Sequence, residues 1–231
     1  MRNKIMKDGS MIFLHDEGEF ISDIIFNSGH YFEEDSMRNI AENFDVSHVV
    51  DIGANIGSLS TFFSREYSSS IYAFEPCKKN FELLRHNIPN QVLFNIALGE
   101  KRSIDNLVTY KNSRGNNTIA SLWEDIPDWG ILDSVDQTLV ARLDDFHIPK
   151  VSLIKIDVEG SELRVLYGAI STILLHRPTI LIEIHKDEDL RQGKFEYDQR
   201  EITTFFWSHR YEFLYKDRYN NYVFVHKQSR S

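Results

Sequence analysis

The sequence predicts an α/β fold, with helices on both faces of a mostly parallel β-sheet. Short apolar runs alternate with segments of helical spacing from about residue 49 to residue 209, which is the pattern of strands joined by crossover helices. The runs are apolar throughout, as expected for strands that are buried on both faces. The last two runs, 212–215 and 222–226, flank a polar turn at 217–221. They predict a closing hairpin that adds an antiparallel strand to the sheet.

The chain before the sheet is predicted to contain two strands and a helix. Residues 10–15 and 19–26 are expected to form short strands around a turn at 16–18. In 33–44 the apolar residues recur at helical spacing, so a helix is expected there.

The core is predicted to alternate strands with helices within one domain. That domain spans 1–231, with an N-terminal cap segment at 1–45 and the core at 46–231. The expected core strands are 49–52, 71–74, 92–97, 151–156 and 179–184, and the expected helices are 56–65, 78–87, 161–170 and 199–209. A polar insertion at about 101–137 breaks the alternation, and long insertions in compact domains usually have a function. We predict that it is part strand and part loop that covers a substrate.

Composition and charge exclude several classes of partner. The 231 residues carry a formal charge of −9 and a pI of about 5.5, whereas proteins that bind nucleic acids or anionic membranes usually present a basic face. The single cysteine, Cys77, excludes an internal disulfide and a cysteine-rich zinc site. We expect a cytoplasmic protein, because no apolar run reaches the ~20 residues of a membrane span and the first residues lack a signal-peptide pattern.

The stretch VVDIGANIGSLS, residues 49–60, predicts a nucleoside-binding turn. It ends a buried strand near Asp51, passes Gly53 and Gly57, and restarts as a helix. Glycine lets a ligand approach the backbone, and the unpaired amides of a helix N-terminus face the same space. Glu75 follows the next strand, 18 residues after Gly57 (75 − 57), close to the spacing of about 20 residues for an acidic side chain that binds ribose hydroxyls. The alternative is an ordinary tight turn.

The kind of nucleoside depends on Asp51. The turn sequence GANIG lacks the G-x-G-x-x-G pattern of a dinucleotide site. A carboxylate at Asp51 would repel a pyrophosphate, but it would suit a cationic amino-acid ligand such as S-adenosylmethionine. A nucleotide-dependent oxidoreductase is therefore the weaker alternative.

Five motifs in order give the sequence a family resemblance. They are VVDIGANIG, AFEP, NIALG, LIKIDVEGSELRVLYGA and RPTILIEIH. Together, over about 51–185, they resemble the FkbM-type family of S-adenosylmethionine-dependent methyltransferases. The resemblance implies the Rossmann-like class I methyltransferase fold, a seven-stranded mostly parallel sheet whose last strand is antiparallel. It also implies O-methylation of a hydroxyl, on a sugar or on a small secondary metabolite.

The resemblance also implies cofactor roles for residues that follow the first three core strands. Asp51, Gly53 and Gly57 would line the methionine part of S-adenosylmethionine, and Glu75 would hold the ribose. Asn95 would border the adenine with its neighbours, although a residue there can equally cap the end of a strand. The full cofactor-binding set is Asp51, Gly53, Ala54, Asn55, Gly57, Glu75, Pro76, Asn95, Ala97 and Leu98.

Polar side chains at the ends of the fourth and fifth core strands predict the catalytic groups. Alternation places Lys155, Asp157 and Glu159 on one side of the chain, and it does the same for Glu183 and His185. We predict Asp157, Glu159 and His185 as catalytic, with His185 or Glu159 as the general base that removes the hydroxyl proton. The alternative is structural, with Lys155 paired to Asp157 or Glu183.

A divalent metal is a further hypothesis. Asp157, Glu183 and His185 resemble, by position, the ligands of metal-dependent O-methyltransferases, and two carboxylates would suit a magnesium ion that keeps several waters. The metal would lower the pKa of the acceptor hydroxyl and orient it. In the insertion, Trp123 and Trp129 are predicted to stack on the acceptor, or else to anchor the insertion itself.

The sequence therefore predicts an S-adenosylmethionine-dependent O-methyltransferase that acts on a sugar in a glycan. The alternatives are a methyltransferase of a small secondary metabolite, the oxidoreductase, and a non-catalytic binding module. The expected partner is a sugar or glycan acceptor, with no nucleic acid and no membrane. Tyr31, Glu33 and Glu34 precede the first core strand, where a segment like that of the family can cover the cofactor. The sequence leaves open whether the chain is one domain of a larger glycan-building protein.

Overall fold

The computed structural model describes residues 1–111, 118–119, 131–184 and 198–230. Trp123, Trp129 and His185 lie outside the described residues, so their roles stay predictions. The strands are β1 Arg2–Ile5, β2 Met11–Leu14, β3 His48–Ile52, β4 Ser70–Phe74, β5 Val92–Phe94, β6 Ala97–Leu98, β7 Ser103–Tyr110, β8 Thr118–Ile119, β9 Leu132–Ala141, β10 Leu153–Ile156, β11 Thr179–Glu183, β12 Tyr211–Lys216 and β13 Asn221–His226. The helices are α1 Phe20–Ser28, α2 Glu34–Asn43, α3 Ser58–Glu66, α4 Lys78–Asn87, α5 Glu162–Gly168, α6 Ile170–His176 and α7 Gln199–Ser208.

Seven strands form the central sheet in the order β12-β13-β11-β10-β3-β4-β5. The five strands from β11 to β5 in that order run parallel. β13 is antiparallel to both β11 and β12, so the closing hairpin inserts its second strand into the sheet and leaves its first strand at the edge. The predicted sheet with an antiparallel last strand is confirmed.

The two faces of the sheet pack against different helices. On one face, Ile154 and Ile182 belong to an apolar cluster that includes residues of α5, α6 and α7. On the other face, Leu153 and Leu181 belong to a cluster with residues of α1 to α4. Burial on both faces explains why these strands are apolar throughout.

On the face covered by α1 to α4, the side chains turn polar toward the carboxyl ends of the strands. Leu153 is fully buried in the apolar cluster, and Lys155 follows it two residues later on the same face. Lys155 lies beside Asp51 of β3. One step further along, Glu183 lies beside Asn221, the first residue of β13. The strands therefore bring a row of polar groups to one edge of the sheet, where ligands of such folds bind.

The N-terminal segment differs from the prediction at 19–26, where the chain forms helix α1 rather than a strand. The carboxylate of Glu19 accepts hydrogen bonds from the backbone N–H groups of Ile21 and Ser22, which is N-terminal capping. Gly29 ends the helix with φ +70°. The first predicted strand is confirmed as β2, and its partner β1 was not predicted.

Strand β5 is shorter than the strand predicted at 92–97. Directly after it, Asn95 Nδ2 donates to the carbonyl oxygens of Glu75 (2.8 Å) and Pro76 (3.0 Å). The next residues form β6, which belongs to a different sheet. Asn95 therefore holds the end of the strand, as in the structural alternative for this residue.

The insertion folds in part into a second sheet, with the strand order β6-β9-β7-β8. Its main component is the antiparallel pair of β7 and β9, which confirms that the insertion is part strand. The helix predicted at 161–170 is divided at Ala169 into α5 and α6. Among the helices formed by described residues, none is long and apolar enough to cross a membrane.

Candidate active site

The glycine turn lies between β3 and α3, against the loop that follows β10. Gly53 has φ +84°, and a Cβ on it would lie 1.7 Å from the carbonyl oxygen of Asp157. Gly57 has φ +85°, and a Cβ there would lie 2.6 Å from Leu84 Cδ1. Gly53 therefore requires glycine for the fold itself, because a Cβ there would meet a backbone atom. At Gly57 the contact is the end of a flexible side chain, so the positive φ is the stronger reason for glycine.

Two cavities meet at this turn and share Gly53, Asn55 and Asp157. The predicted cofactor residues that line the first cavity are Gly53, Asn55, Glu75, Pro76, Ala97 and Leu98. Those that line the second cavity are Asp51, Gly53, Ala54 and Asn55. Gly57 and Asn95 line neither cavity. The structure thus places eight of the ten predicted residues in the linings of two neighbouring cavities.

Glu75 is the acidic side chain of the first cavity, and it is only 4% exposed. Its Oε2 accepts the backbone N–H of Asn55 (2.8 Å), and its Oε1 accepts the backbone N–H of Cys77 (2.8 Å). Burial raises the pKa of this carboxyl to about 7, although both N–H groups act to lower it. Oε1 also accepts Asn80 Nδ2 (3.5 Å), whereas Oε2 keeps a lone pair, so Glu75 can still accept a hydrogen bond from a hydroxyl of a ligand.

The second cavity carries more acidic than basic groups. Its lining includes the carboxyl groups of Glu33, Asp51 and Asp157 and one ammonium, that of Lys155. Asp51 is 2% exposed and accepts a hydrogen bond from Ser60 Oγ (2.6 Å). Burial raises the pKa of Asp51 to about 6, while Ser60 and Lys155 lower it. This excess of carboxyl groups favours a ligand with a positive charge.

Lys155 is a buried ammonium at the centre of a polar network. Its Nζ donates to Asn221 Oδ1 (2.6 Å) and to Asp157 Oδ2 (3.4 Å). Asn221 Nδ2 donates in turn to Glu33 Oε2 (2.9 Å) and Asp217 Oδ2 (3.0 Å). Burial alone would lower the pKa of Lys155, but the carboxylates around it raise that pKa above its usual value. The ammonium is therefore charged. It pairs with Asp157, as in the structural alternative to a catalytic role that the sequence left open.

Glu33 joins the second cavity to a groove on the surface. This outer groove has a volume of ≈ 470 Å³, and its lining includes His30, Tyr31, Phe32, Glu33, Arg38 and Tyr219. Phe32 and Glu33 also line the second cavity. Glu33 precedes α2 with φ +58° and does not cap that helix with its side chain. Burial raises its pKa to about 7, with Lys155 opposing the shift.

Three carboxyl groups cluster at the ends of β10 and β11. The ligand atoms of Asp157, Glu159 and Glu183, here called the carboxyl trio, lie within 4.8 Å of one another. Burial raises the pKa of Glu183 well above its usual value, and Asp157 and Glu159 raise it further. Oxygen ligands at this spacing fit a divalent cation, and a proton held by Glu183 relieves the same repulsion. The third predicted ligand, His185, lies outside the described residues.

Sequence reasoning missed Asn221, which links Lys155 to Glu33. A signal for it existed, because the first residue of an antiparallel strand lies at the same edge as the last residues of its parallel neighbours. Glu33 was noted only as part of a covering segment. Its position at the junction of cavity and groove depends on how α2 packs, which the sequence pattern does not specify.

Comparison with known proteins gives a consistent family assignment. The family model "Methyltransferase FkbM domain" matches residues 51–213. "Methyltransferase 1" of Beauveria bassiana is 32% identical over 160 residues, which cover 58% of this chain and 63% of that protein. "Hexuronic acid methyltransferase AglP" of Haloferax volcanii is 28% identical over 171 residues, which cover 68% of this chain and 64% of that protein. The chain thus spans somewhat less than two thirds of the length of these relatives.

A solved structure shows the same fold. The crystal structure of methyltransferase FkbM from Methylobacillus flagellatus superposes with a TM-score of 0.52 at 19% identity. The match covers 92% of this chain and 56% of that one. At this identity the similarity concerns the fold, and the strand order described above is that of class I methyltransferases.

Proposed function

Because this chain belongs to the methyltransferase FkbM family, we propose that it is an S-adenosylmethionine-dependent O-methyltransferase that methylates a hydroxyl of a sugar in a glycan. The observation that carries the proposal is the meeting of two unlike cavities at Gly53, Asn55 and Asp157. The first has an apolar lining and a carboxylate suited to ribose, and the second is acidic. A nucleoside joined to a cationic amino acid matches this pair.

The residues present fit such a cofactor. Glu75 would accept a hydrogen bond from a ribose hydroxyl, and Ala97 and Leu98 would border the base in the first cavity. Asp51 and Asp157 would face the positively charged end in the second cavity. Dinucleotides fit less well, because a pyrophosphate in the second cavity would meet these carboxyl groups.

The chemistry needs alignment and the removal of one proton. When bound, S-adenosylmethionine supplies a methyl group on a positively charged sulfur. The chain must hold the acceptor oxygen in line with that methyl group and take the hydroxyl proton as the O–CH₃ bond forms. Asp157 lines both cavities, so it would lie where the nucleoside part and the amino-acid part of the cofactor meet. Glu33 lies on the acceptor side, and we propose its carboxylate as proton acceptor beside the predicted candidates Glu159 and His185.

The outer groove is the proposed entry for the acceptor. It opens onto the second cavity at Phe32 and Glu33. The ring centroids of Phe32 and Tyr219 lie 6.3 Å apart, with the rings tilted by 47°, and aromatic faces of this kind pack against the C–H groups of a sugar. The Haloferax relative is named a hexuronic acid methyltransferase, which supports a sugar as the acceptor class.

Ligand binding tests the cofactor. Thermal unfolding should show stabilisation by S-adenosylmethionine and S-adenosylhomocysteine but not by NAD, and a ligand at 100 times its Kd adds ~2.7 kcal/mol. Stabilisation by NAD alone would refute the proposal. Transfer of radiolabelled methyl groups to methyl glycosides, methyl uronides and small phenols would then identify the acceptor class. Transfer only to the phenols would replace the sugar by a small metabolite.

The proton acceptor is tested by substitution. Glu33→Gln should lower turnover by about 10²-fold or more and leave the affinity for S-adenosylhomocysteine within a few fold. The matched control is Glu42→Gln, which alters an exposed glutamate of α2, the helix that Glu33 precedes, and should not change turnover. If Glu33→Gln retains full turnover, the base is Glu159 or His185. Turnover of Glu159→Gln and of His185→Gln then decides between them.

A divalent metal and the cell compartment remain separate proposals. Magnesium at the carboxyl trio would lower the pKa of the acceptor hydroxyl, and loss of turnover in EDTA with recovery on adding magnesium would support it. We also propose a cytoplasmic location, since Cys77 is the one cysteine of the sequence and an internal disulfide is therefore impossible, as is usual in a reducing compartment. The acidic net charge supports an acceptor other than nucleic acid or an anionic membrane.

A further inference from the structure

Ser161 carries a buried hydroxyl that has no use in the fold as described. The residue is 4% exposed, and its Oγ has no hydrogen-bond partner among the described residues. It occupies the N-cap position of α5, where serine usually accepts a helix N–H. Here no such capping bond is made.

The loop around Ser161 is held by another side chain. The carboxylate of Glu162 accepts the backbone N–H groups of Val158 (3.3 Å) and Gly160 (3.0 Å to Oε1 and 3.1 Å to Oε2). The hydroxyl of Ser161 is therefore not needed to fix the loop. A buried polar group without a partner destabilises the fold, so it calls for an explanation such as a ligand.

The first cavity offers that ligand site. Ser161 lines it together with the apolar residues Ile96, Leu98 and Leu107. The other side-chain polar groups of its lining belong to Asn55, Glu75 and Asp157, and Asn55 Oδ1 also lacks a partner among the described residues. Ser161 Oγ and Asn55 Oδ1 are thus two buried polar atoms at the cavity that could form a hydrogen bond with a ligand.

We propose that the hydroxyl of Ser161 forms a hydrogen bond with the polar edge of the adenine base in the first cavity. The inference rests on the proposed function, because it takes the occupant to be the adenosine part of the cofactor. Glu75 serves the ribose, and the apolar side chains contact the faces of the base without selecting its identity. A hydroxyl that donates or accepts at the base edge supplies the missing polar contact. Ser161 is then a binding residue that the glycine turn and the acidic strand end do not reveal.

Calorimetry with S-adenosylhomocysteine and with adenosine tests the assignment. Ser161→Ala should weaken both ligands by the same factor, about three- to tenfold, and should not lower the urea midpoint of unfolding. The matched control is Ser69→Ala. Ser69 is also buried, at 2% exposure, with an unpartnered Oγ among the described residues, but it lines neither cavity. This control should leave both affinities unchanged.

Base analogues locate the contact. Purine riboside, 1-deazaadenosine, 3-deazaadenosine and 7-deazaadenosine each lack one polar group of adenine, and the analogue that lacks the partner of Ser161 should bind equally to wild type and Ser161→Ala. An equal loss for adenosine and all four analogues would overturn the base contact, as would unchanged affinity in Ser161→Ala. If the wild type binds neither S-adenosylhomocysteine nor adenosine, the proposed function falls and the inference with it.

Discussion

Replacing Glu75 with glutamine should change how the stability of the ligand-free protein depends on pH. Glu75 is 4% exposed, and burial raises its pKa from 4.5 to about 7. A group whose pKa is raised by folding stabilises the protein in its protonated form, below its unfolded pKa. That contribution is lost as the pH rises through about 7. Glutamine does not titrate, so the variant lacks this loss.

The size of the effect follows from the shift. One pKa unit corresponds to ~1.4 kcal/mol, so a rise from 4.5 to about 7 gives about 3.5 kcal/mol in full, of which about 2.5 kcal/mol falls between pH 5 and pH 8. A second term is nearly independent of pH. Glutamine has one acceptor oxygen, whereas the carboxylate accepts the N–H groups of both Asn55 and Cys77, and an unpaired N–H costs ~1–3 kcal/mol. The variant should be the less stable protein near pH 5, and the difference in the free energy of unfolding should shift by about 2.5 kcal/mol in its favour by about pH 8.

Urea unfolding of both proteins at intervals between those pH values measures the difference in the free energy of unfolding. Glu82→Gln is the matched control, since Glu82 lies on α4 with a side chain that is 50% exposed, and its difference from wild type should stay flat. A flat difference for Glu75→Gln would refute the reasoning. It would mean that water or a rearranged loop solvates the carboxylate in the ligand-free protein.

Three further predictions concern the neighbouring groups. Gly53→Ala should unfold at a much lower temperature or fail to fold, because its Cβ would lie 1.7 Å from a backbone oxygen. Gly9→Ala is the control, since Gly9 has a similar φ of +81° but no atom within 4 Å of the added Cβ. The control should lose only ~1–2 kcal/mol of the free energy of unfolding. Lys155→Met should lower the free energy of unfolding in urea by ~3–5 kcal/mol. The loss should be larger at about pH 8 than at about pH 5, because the carboxylates left without their cation can take up protons at low pH. Equal losses at the two pH values would contradict this. If magnesium binds the carboxyl trio, thermal unfolding should shift upward with added magnesium and return on adding EDTA, and no shift would remove the metal.

The central sheet was predictable because each core strand is an apolar run with a helix after it. The same pattern misled at 19–26, where Ile21, Ile24 and Ile25 suit either a strand or a helix. The choice is made by Glu19 and Gly29, which cap the two ends of a helix. Strand and helix signals of this length are ambiguous until the caps are considered.

The residues that line the two cavities were predictable to the extent that they follow strands. Glu75, predicted for the cofactor, and Asp157, predicted as catalytic, each stand just past a buried run, and parallel strands end at one edge. Gly57 shows the limit of this reasoning, because its positive φ suggests a ligand, yet the space above it is filled by Leu84. The local sequence pattern did not indicate roles for Asn221 and Ser161. Asn221 acts through partners far away in the sequence, and Ser161 stands out only because its buried hydroxyl lacks a hydrogen-bond partner among the described residues.

The bridge from Glu33 through Asn221 to Lys155 also bears on how the protein is made. Its three members are separated by up to 188 positions, so a nascent chain emerging from the ribosome has Glu33 and Lys155 long before it has Asn221. Until then the ammonium and its carboxylates lack the amide that joins them, and β11 lacks the neighbour on its outer side. The pocket should therefore be among the last regions to become ordered during synthesis. A messenger truncated before the closing hairpin would yield a product that has the glycine turn and the contact between Lys155 and Asp157 but lacks the amide that joins Glu33 to Lys155.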